Sequence, residues 1–150
     1  MIYADNAATT KMSKTAIDAM LPYMEEYYGN PSSLYAFAQK AKEALEDART
    51  RVAACIGAEP REIYFTSGGS EADNQAIMSA ARSGERKGKR HIISTAFEHH
   101  AVLHTCQALE REGFEVTYLP VDEHGLVSVE DFKAAMRPDT ILASIMFANN

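Results

Sequence analysis

Four short runs rich in β-branched and aromatic residues alternate with helical stretches between residues 62 and 147. The runs are EIYFT (62–66), RHIIST (90–95), FEVTYL (114–119) and TILASIMF (140–147). Helical spacing fills the gaps, over 71–83, 99–112 and 129–136. The last of these has Ser128 three residues before Asp131, a capping-box-like start, and stops at Arg137-Pro138. Such alternation predicts parallel strands joined by crossover helices. The fourth run is nearly all apolar, which predicts a strand covered on both faces. The expected fold is α/β: an open, doubly wound, mainly parallel sheet with helices on both faces.

Upstream the pattern is helical. Residues 1–12 read as an extended arm carrying an Asp5-Asn6 turn signal. Ser13 can cap a first helix with Ala16, Ile17, Met20, Leu21 and Met24 on one face. Pro22 should kink that helix or force an adjustment, and Gly29-Asn30-Pro31 should end it. A longer helix is expected from Ser32 or Ser33. Its apolar stripe would be Leu34, Phe37, Ala41, Ala44, Leu45, Ala48, Val52 and Ile56, with Gly57 as its stop.

Composition narrows the class. The chain has 150 residues, 46% of them hydrophobic, enough apolar mass to bury a core. Its 15 basic and 21 acidic residues give 15 − 21 = −6, with no basic cluster, so neither nucleic acid nor an anionic membrane is expected as a partner. No apolar run approaches the roughly 20 residues of a membrane span. The start, MIYADNAATT, has no basic region followed by an apolar stretch, so it does not read as a signal peptide. Cys55 and Cys106 form no C-x-x-C pair and read as small buried hydrophobes. A cytoplasmic protein is expected.

Open parallel sheets bind ligands beyond the carboxyl ends of their strands. The first run is followed by Ser67-Gly68-Gly69-Ser70-Glu71, the second by Glu98-His99-His100, and the fourth by Asn149-Asn150. Two glycines before a helix expose backbone amides at its positive end, and Ser70 adds a hydroxyl, which together make a phosphate cradle. The alternative is a plain strand-to-helix turn with Ser70 as N-cap. It is neither a Walker loop nor G-x-G-x-x-G. His99, at a helix start on the same edge, is placed to stack on a flat cofactor and move protons. His100 and His104 have the i,i+4 spacing of metal ligands, but no H-E-x-x-H pattern or third ligand accompanies them, so no metal is expected. The amides of Asn149-Asn150 can donate to an oxyanion or phenolate oxygen. An anion cradle, a stacking proton carrier and an amide donor on one edge suit a flat, phosphorylated, electron-withdrawing cofactor.

In order along the chain, YADNAATT (3–10), EEYYGNPSS (25–33), FTSGGSEADN (65–74), EHHAVLHTC (98–106), GFEVTYLPVDEHG (113–125) and RPDTILASIMFANN (137–150) closely resemble the N-terminal part of cysteine desulfurases of the NifS/IscS type. These belong to the class V aminotransferase group of pyridoxal-phosphate enzymes, fold type I, and the resemblance implies that residues 13–150 are the N-terminal part of the cofactor-binding large domain. The resemblance implies that the Gly69-Ser70 loop holds the pyridoxal 5'-phosphate phosphate group. It implies that His99 stacks on the ring and takes part catalytically, and that Asn150 bonds the cofactor's phenolic oxygen or the substrate side. The Asp5–Ala8 arm would lie near the substrate. Tyr35 and Phe147 stand where many relatives carry His, which leaves the reaction class intact and bears on substrate and subgroup.

The implied reaction converts L-cysteine to L-alanine, with sulfur carried as a persulfide on an enzyme cysteine. The resemblance further implies that the sulfur passes to an acceptor protein, such as an iron–sulfur scaffold or a tRNA-thiolation protein, and that the whole enzyme is a homodimer. The family's Schiff-base lysine, its pyridine-nitrogen aspartate and its catalytic cysteine lie further along the family's sequence than the match reaches, and neither Cys55 nor Cys106 matches that cysteine. Residues 1–150 are therefore expected to be inactive alone, and to associate through an open sheet edge. Two other readings stay open: another class V enzyme, such as a selenocysteine lyase or an aminotransferase, and a non-catalytic truncated product that binds a partner.

Overall fold

The structure is a computed structural model that describes residues 2–6 and 8–149. The chain divides into two compact units, Met1–Phe65 and Thr66–Asn150.

The first unit is helical. Helix α1 spans Lys14–Glu25, and the Ser13 hydroxyl accepts the Ala16 amide at 3.1 Å, the cap expected from sequence. Pro22 stays inside the helix, and its carbonyl accepts the amides of both Glu26 and Tyr27, which closes α1 before Gly29. The second helix begins later than the stripe predicts. The Asn30 side chain accepts the Ser32 amide at 2.9 Å and the Asn30 carbonyl accepts the Ser33 amide, so a turn occupies the predicted start. A 3-10 turn at Ala36–Ala38 then leads into α2, Gln39–Ile56, which Gly57 ends at φ 68°. Leu34 therefore lies outside the helix and is exposed, as are Val52 and Ile56 within the stripe.

Residues 62–66 do not form the first predicted strand. A 3-10 turn covers Pro60–Glu62, and Ile63 is extended (φ −97°, ψ 125°) but unpaired with any strand among the described residues. The Arg49 guanidinium donates to the Ile63 carbonyl, the group a ladder would have used, and Tyr64 stays 73% exposed. The apolar pattern is present, but the partner that makes extended chain into sheet is not among the described residues.

The second unit holds the sheet. Its elements are α3 (Gly69–Glu85), β1 (His91–Thr95), α4 (His100–Arg111), β2 (Glu115–Leu119), α5 (Val129–Ala135) and β3 (Thr140–Ala143). The strands are all parallel in the order β2-β1-β3, with Ile92 opposite Val116 and Leu142. Central β1 is buried throughout. Ile92 packs with Ile77 and Ala81 of α3, Val102, Cys106 and Leu109 of α4, and Phe114. The parallel α/β architecture flanked by helices is the one expected. The Ser128 hydroxyl caps α5 through the Asp131 amide at 3.1 Å.

The fourth predicted run is only partly a strand. β3 stops at Ala143, its residues are half-buried or exposed, and the chain then leaves the ladder. The Ser144 amide still reaches the Ile93 carbonyl at 2.9 Å, but the Met146 amide is taken by the Glu98 side chain. Between His91 and Ile92 the register slips by one residue, so Ile141 is extra on β3. Ile141 packs where α3 comes closest to the strand: a Cβ on Gly84 would lie 2.4 Å from its Cγ1.

Candidate functional site

β1 ends at Thr95, and four residues carry the chain to α4. His99 is the N-cap of α4 rather than its first helical residue, and its Nδ1 accepts the Ala101 amide at 3.1 Å. That bond fixes Nδ1 as the unprotonated nitrogen of the neutral ring and sends the proton to Nε2. The ring is exposed.

At the start of α3 the cap is Gly68, in extended conformation and without a side-chain bond, so Ser70 is a helical residue and not the N-cap. Thr66 donates its hydroxyl to the Gly68 carbonyl at 3.1 Å. Glu71 reaches back, and one of its oxygens accepts both the Ser67 amide and the Ser67 hydroxyl at 2.7 Å. Those two bonds hold its carboxyl below the usual carboxylate range. A Cβ on Gly68 or Gly69 would meet nothing within 4 Å, so the backbone there faces open space. Helix-start amides bordered by glycine and left uncapped by any side chain are anion donors.

α3 and α4 pack side by side, and a cleft of about 380 Å³ lies along them. Ser70, Asn74 and Met78 line it from α3, and His99, His100, Ala101, His104, Thr105 and Ala108 from the α4 side. Two predicted site residues, Ser70 and His99, thus share one cleft. Gly69 precedes Ser70 in the first turn of α3. Asn150 lies outside the described residues. Its neighbour Asn149 donates from Nδ2 to the Phe97 carbonyl at 2.7 Å, which ties the segment after β3 to the loop before His99.

Three residues around the cleft had no role assigned from sequence. Glu98 is 6% exposed and accepts the Thr95 hydroxyl at 3.1 Å and the Met146 amide at 2.6 Å. Asn74 donates to the Ser70 carbonyl and accepts from the Thr105 hydroxyl, both at 2.6 Å. The available signal was spacing: Asn74 is four residues after Ser70 and Thr105 four after Ala101, each one helical turn on.

Residues 2–150 match the family described as aminotransferase class-V. The chain belongs to that family. Among class-V relatives, the cysteine desulfurase IscS of Methanosarcina thermophila is 57% identical over 149 residues, which cover 99% of this chain and 37% of that protein. A solved NifS-like protein superposes with a TM-score of 0.91 at 41% identity, covering 97% of this chain and 40% of the other. A second structure, of SspA in complex with cysteine, superposes with a TM-score of 0.88 at 40% identity, covering 95% and 41%. The chain spans about two fifths of the length of the class-V relatives it matches. No helix among the described residues is long and apolar enough to cross a membrane.

Proposed function

We propose that this chain supplies the phosphate cradle and ring-stacking side of the pyridoxal 5'-phosphate site of a cysteine desulfurase. The whole protein would convert L-cysteine to L-alanine and pass the sulfur, as a persulfide, to an acceptor protein for iron–sulfur cluster assembly or tRNA thiolation. A single observation carries the reading: the uncapped start of α3, with Gly69 and Ser70, shares one cleft with the exposed ring of His99. The donor chemistry fits the group. Uncapped amides and a serine hydroxyl suit a phosphate, and an imidazole suits the face of a pyridine ring.

In this reading the Gly69 and Ser70 amides and the Ser70 hydroxyl bind the phosphate, and the helix start adds its positive dipole end. His99 covers the ring. Its Nδ1 is held by the Ala101 amide, so its Nε2 is the atom that exchanges a proton with the substrate. Asn150 donates its amide to the phenolic oxygen. When bound, pyridoxal phosphate supplies the electron sink that the carbon–sulfur cleavage of cysteine requires.

Sulfur transfer is assigned neither to Cys55 nor to Cys106, since neither matches the catalytic cysteine that the family resemblance implies. Cys106 is fully buried, and burial pushes its thiol up to about 11, away from the thiolate that attack requires. The relatives' names and the cysteine of the SspA complex support the desulfurase choice over other class-V chemistry. Localisation in the cytoplasm and a homodimeric whole protein belong to the same proposal.

The test is pyridoxal phosphate binding and cysteine turnover by the whole polypeptide that carries these residues. Stoichiometric cofactor, with alanine and persulfide formed in equal amounts, is expected. A keto acid product instead of alanine overturns the desulfurase reading, and absence of cofactor binding overturns the site. Residues 1–150 alone should form no alanine with added cofactor, and turnover by them would overturn that part.

A further inference from the structure

We propose that Thr105 and Asn74 form a positioning relay that sets the spacing between the Ser70 cradle and the His99 ring. The inference rests on the cofactor reading above and names residues to which nothing in that reading gives a part.

The hydrogen bonds run in series. Asn74 Nδ2 donates to the Ser70 carbonyl at 2.6 Å, and Thr105 Oγ1 donates to Asn74 Oδ1 at 2.6 Å. Thr105 Oγ1 also lies 2.7 Å from the Ala101 carbonyl, and the Ala101 amide is the group that holds His99 Nδ1. Proton counting fixes the direction. A carbonyl accepts only, so the Asn74 edge facing Ser70 must be its NH2 group, which leaves Oδ1 toward Thr105. The threonine hydroxyl has one proton. Asn74 Oδ1 has no other donor among the described residues, whereas the Ala101 carbonyl already accepts within α4, so the proton belongs to Asn74.

Burial makes the bond matter. Thr105 is 3% exposed, so a hydroxyl that lost Asn74 could turn only to the Ala101 carbonyl of its own helix, and the tie to α3 would be gone. The Asn74–Thr105 bond ties α4 to α3 one turn in from their starts, and Asn74 carries the tie on to Ser70 in the first turn of α3. A cofactor gripped at its phosphate by one helix and at its ring by the other needs that separation held to a fraction of an ångström.

Three substitutions in the whole polypeptide test this: Thr105→Val, which keeps shape and loses the hydroxyl, Thr105→Ser, which restores it, and Asn74→Ala at an exposed position that folding tolerates. Equilibrium dialysis gives the dissociation constant of pyridoxal phosphate, and amide hydrogen exchange reports the first turns of α3 and α4 without cofactor. Thr105→Val and Asn74→Ala should each weaken cofactor binding about tenfold, the worth of one hydrogen bond. The double variant should lose no more than Asn74→Ala alone, and Thr105→Ser should stay within about twofold of the parent. Exchange should quicken at Ala72, Val102 and Leu103, the hydrogen-bonded amides of the two helix starts, and nowhere in β1. Additive losses, no loss, or no rescue by serine would overturn the relay. If the parent itself binds no pyridoxal phosphate, the cofactor reading falls, and the relay is still judged by exchange: unchanged rates at those amides in Thr105→Val and Asn74→Ala overturn it.

Discussion

The Met146 amide donates to the buried carboxylate of Glu98 at 2.6 Å, so a side chain from the loop after β1 draws the chain out of the sheet after β3. The same oxygen accepts the Thr95 hydroxyl at 3.1 Å. One carboxylate, on the residue that precedes His99, therefore ties the ends of two adjacent strands. Replacing it with alanine leaves an amide and a buried hydroxyl unpaired and a void beneath them. Glu98→Ala should lose about 2–4 kcal/mol of unfolding free energy, as buried donors without partners do. Glu98→Gln keeps an accepting oxygen and should lose less than half as much. Urea denaturation of both variants decides it, and equal losses would show that the charge rather than the geometry is what counts.

His91 is fully buried on the central strand and bridges the sheet: Nδ1 lies 2.8 Å from Thr140 Oγ1 on β3 and Nε2 2.8 Å from Thr117 Oγ1 on β2. Burial lowers its pKa, Arg137 lowers it further, and Asp139 and Glu115 pull the other way. The ring is neutral when folded, and the unfolded chain takes up a proton below about pH 6.5. Between that pH and the lower folded value the unfolded state binds more protons. Stability from this group is therefore complete above about pH 6.5 and is lost as pH falls through that window. His91→Gln should be less stable at pH 8 but should show a shallower decline from pH 7 to pH 5. Parallel profiles of parent and variant by chemical denaturation would contradict this.

What could be read from sequence and what could not follows from the kind of interaction each element needs. Caps are local, and Ser13, Ser128 and Gly57 act where the sequence puts them. The runs around Ile92 and Val116 become strands because each finds a neighbour across the ladder. Residues 62–66 are likewise rich in β-branched and aromatic side chains, yet Arg49 holds the Ile63 carbonyl and no strand among the described residues pairs there. A strand is a relation between two segments, and apolar alternation specifies only one of them. The cleft follows the same division. Gly69, Ser70 and His99 stand out by type and by position at helix starts. Asn74, Thr105 and Glu98 matter through partners 31, 31 and 48 residues away, which periodicity does not encode.

The bulge at Ile141 depends on an absent side chain. A Cβ on Gly84 would lie 2.4 Å from Ile141 Cγ1 and 2.7 Å from its Cδ1 and Cγ2, so three carbons of a branched side chain would have to move together. Gly84→Ala should cost about 1–3 kcal/mol through overpacking, despite alanine's better helix propensity. Ile141→Ala frees the space, so Gly84→Ala made in that background should be neutral or stabilising. A double-mutant cycle on thermal or urea unfolding measures the coupling, and additive effects would mean that α3 and β3 separate freely.

The two cysteines differ sharply, and only one fits the buried small hydrophobe expected from composition. Cys106 is fully buried in the cluster around Ile92, with its thiol pushed up to about 11 by burial first and by Glu110 and Glu98 second. Cys55, near the end of α2, is exposed. Only the thiolate attacks a disulfide reagent, and only where the reagent can reach it. At pH 8 a chromogenic disulfide should therefore titrate one thiol within minutes in the native protein and two in denaturant. Cys55→Ser should abolish the fast reaction and leave the slow one, whose rate then reports how often the core between α4 and the sheet opens. Fast reaction persisting in Cys55→Ser would place Cys106 within reach of solvent and remove the ground for excluding it from sulfur transfer.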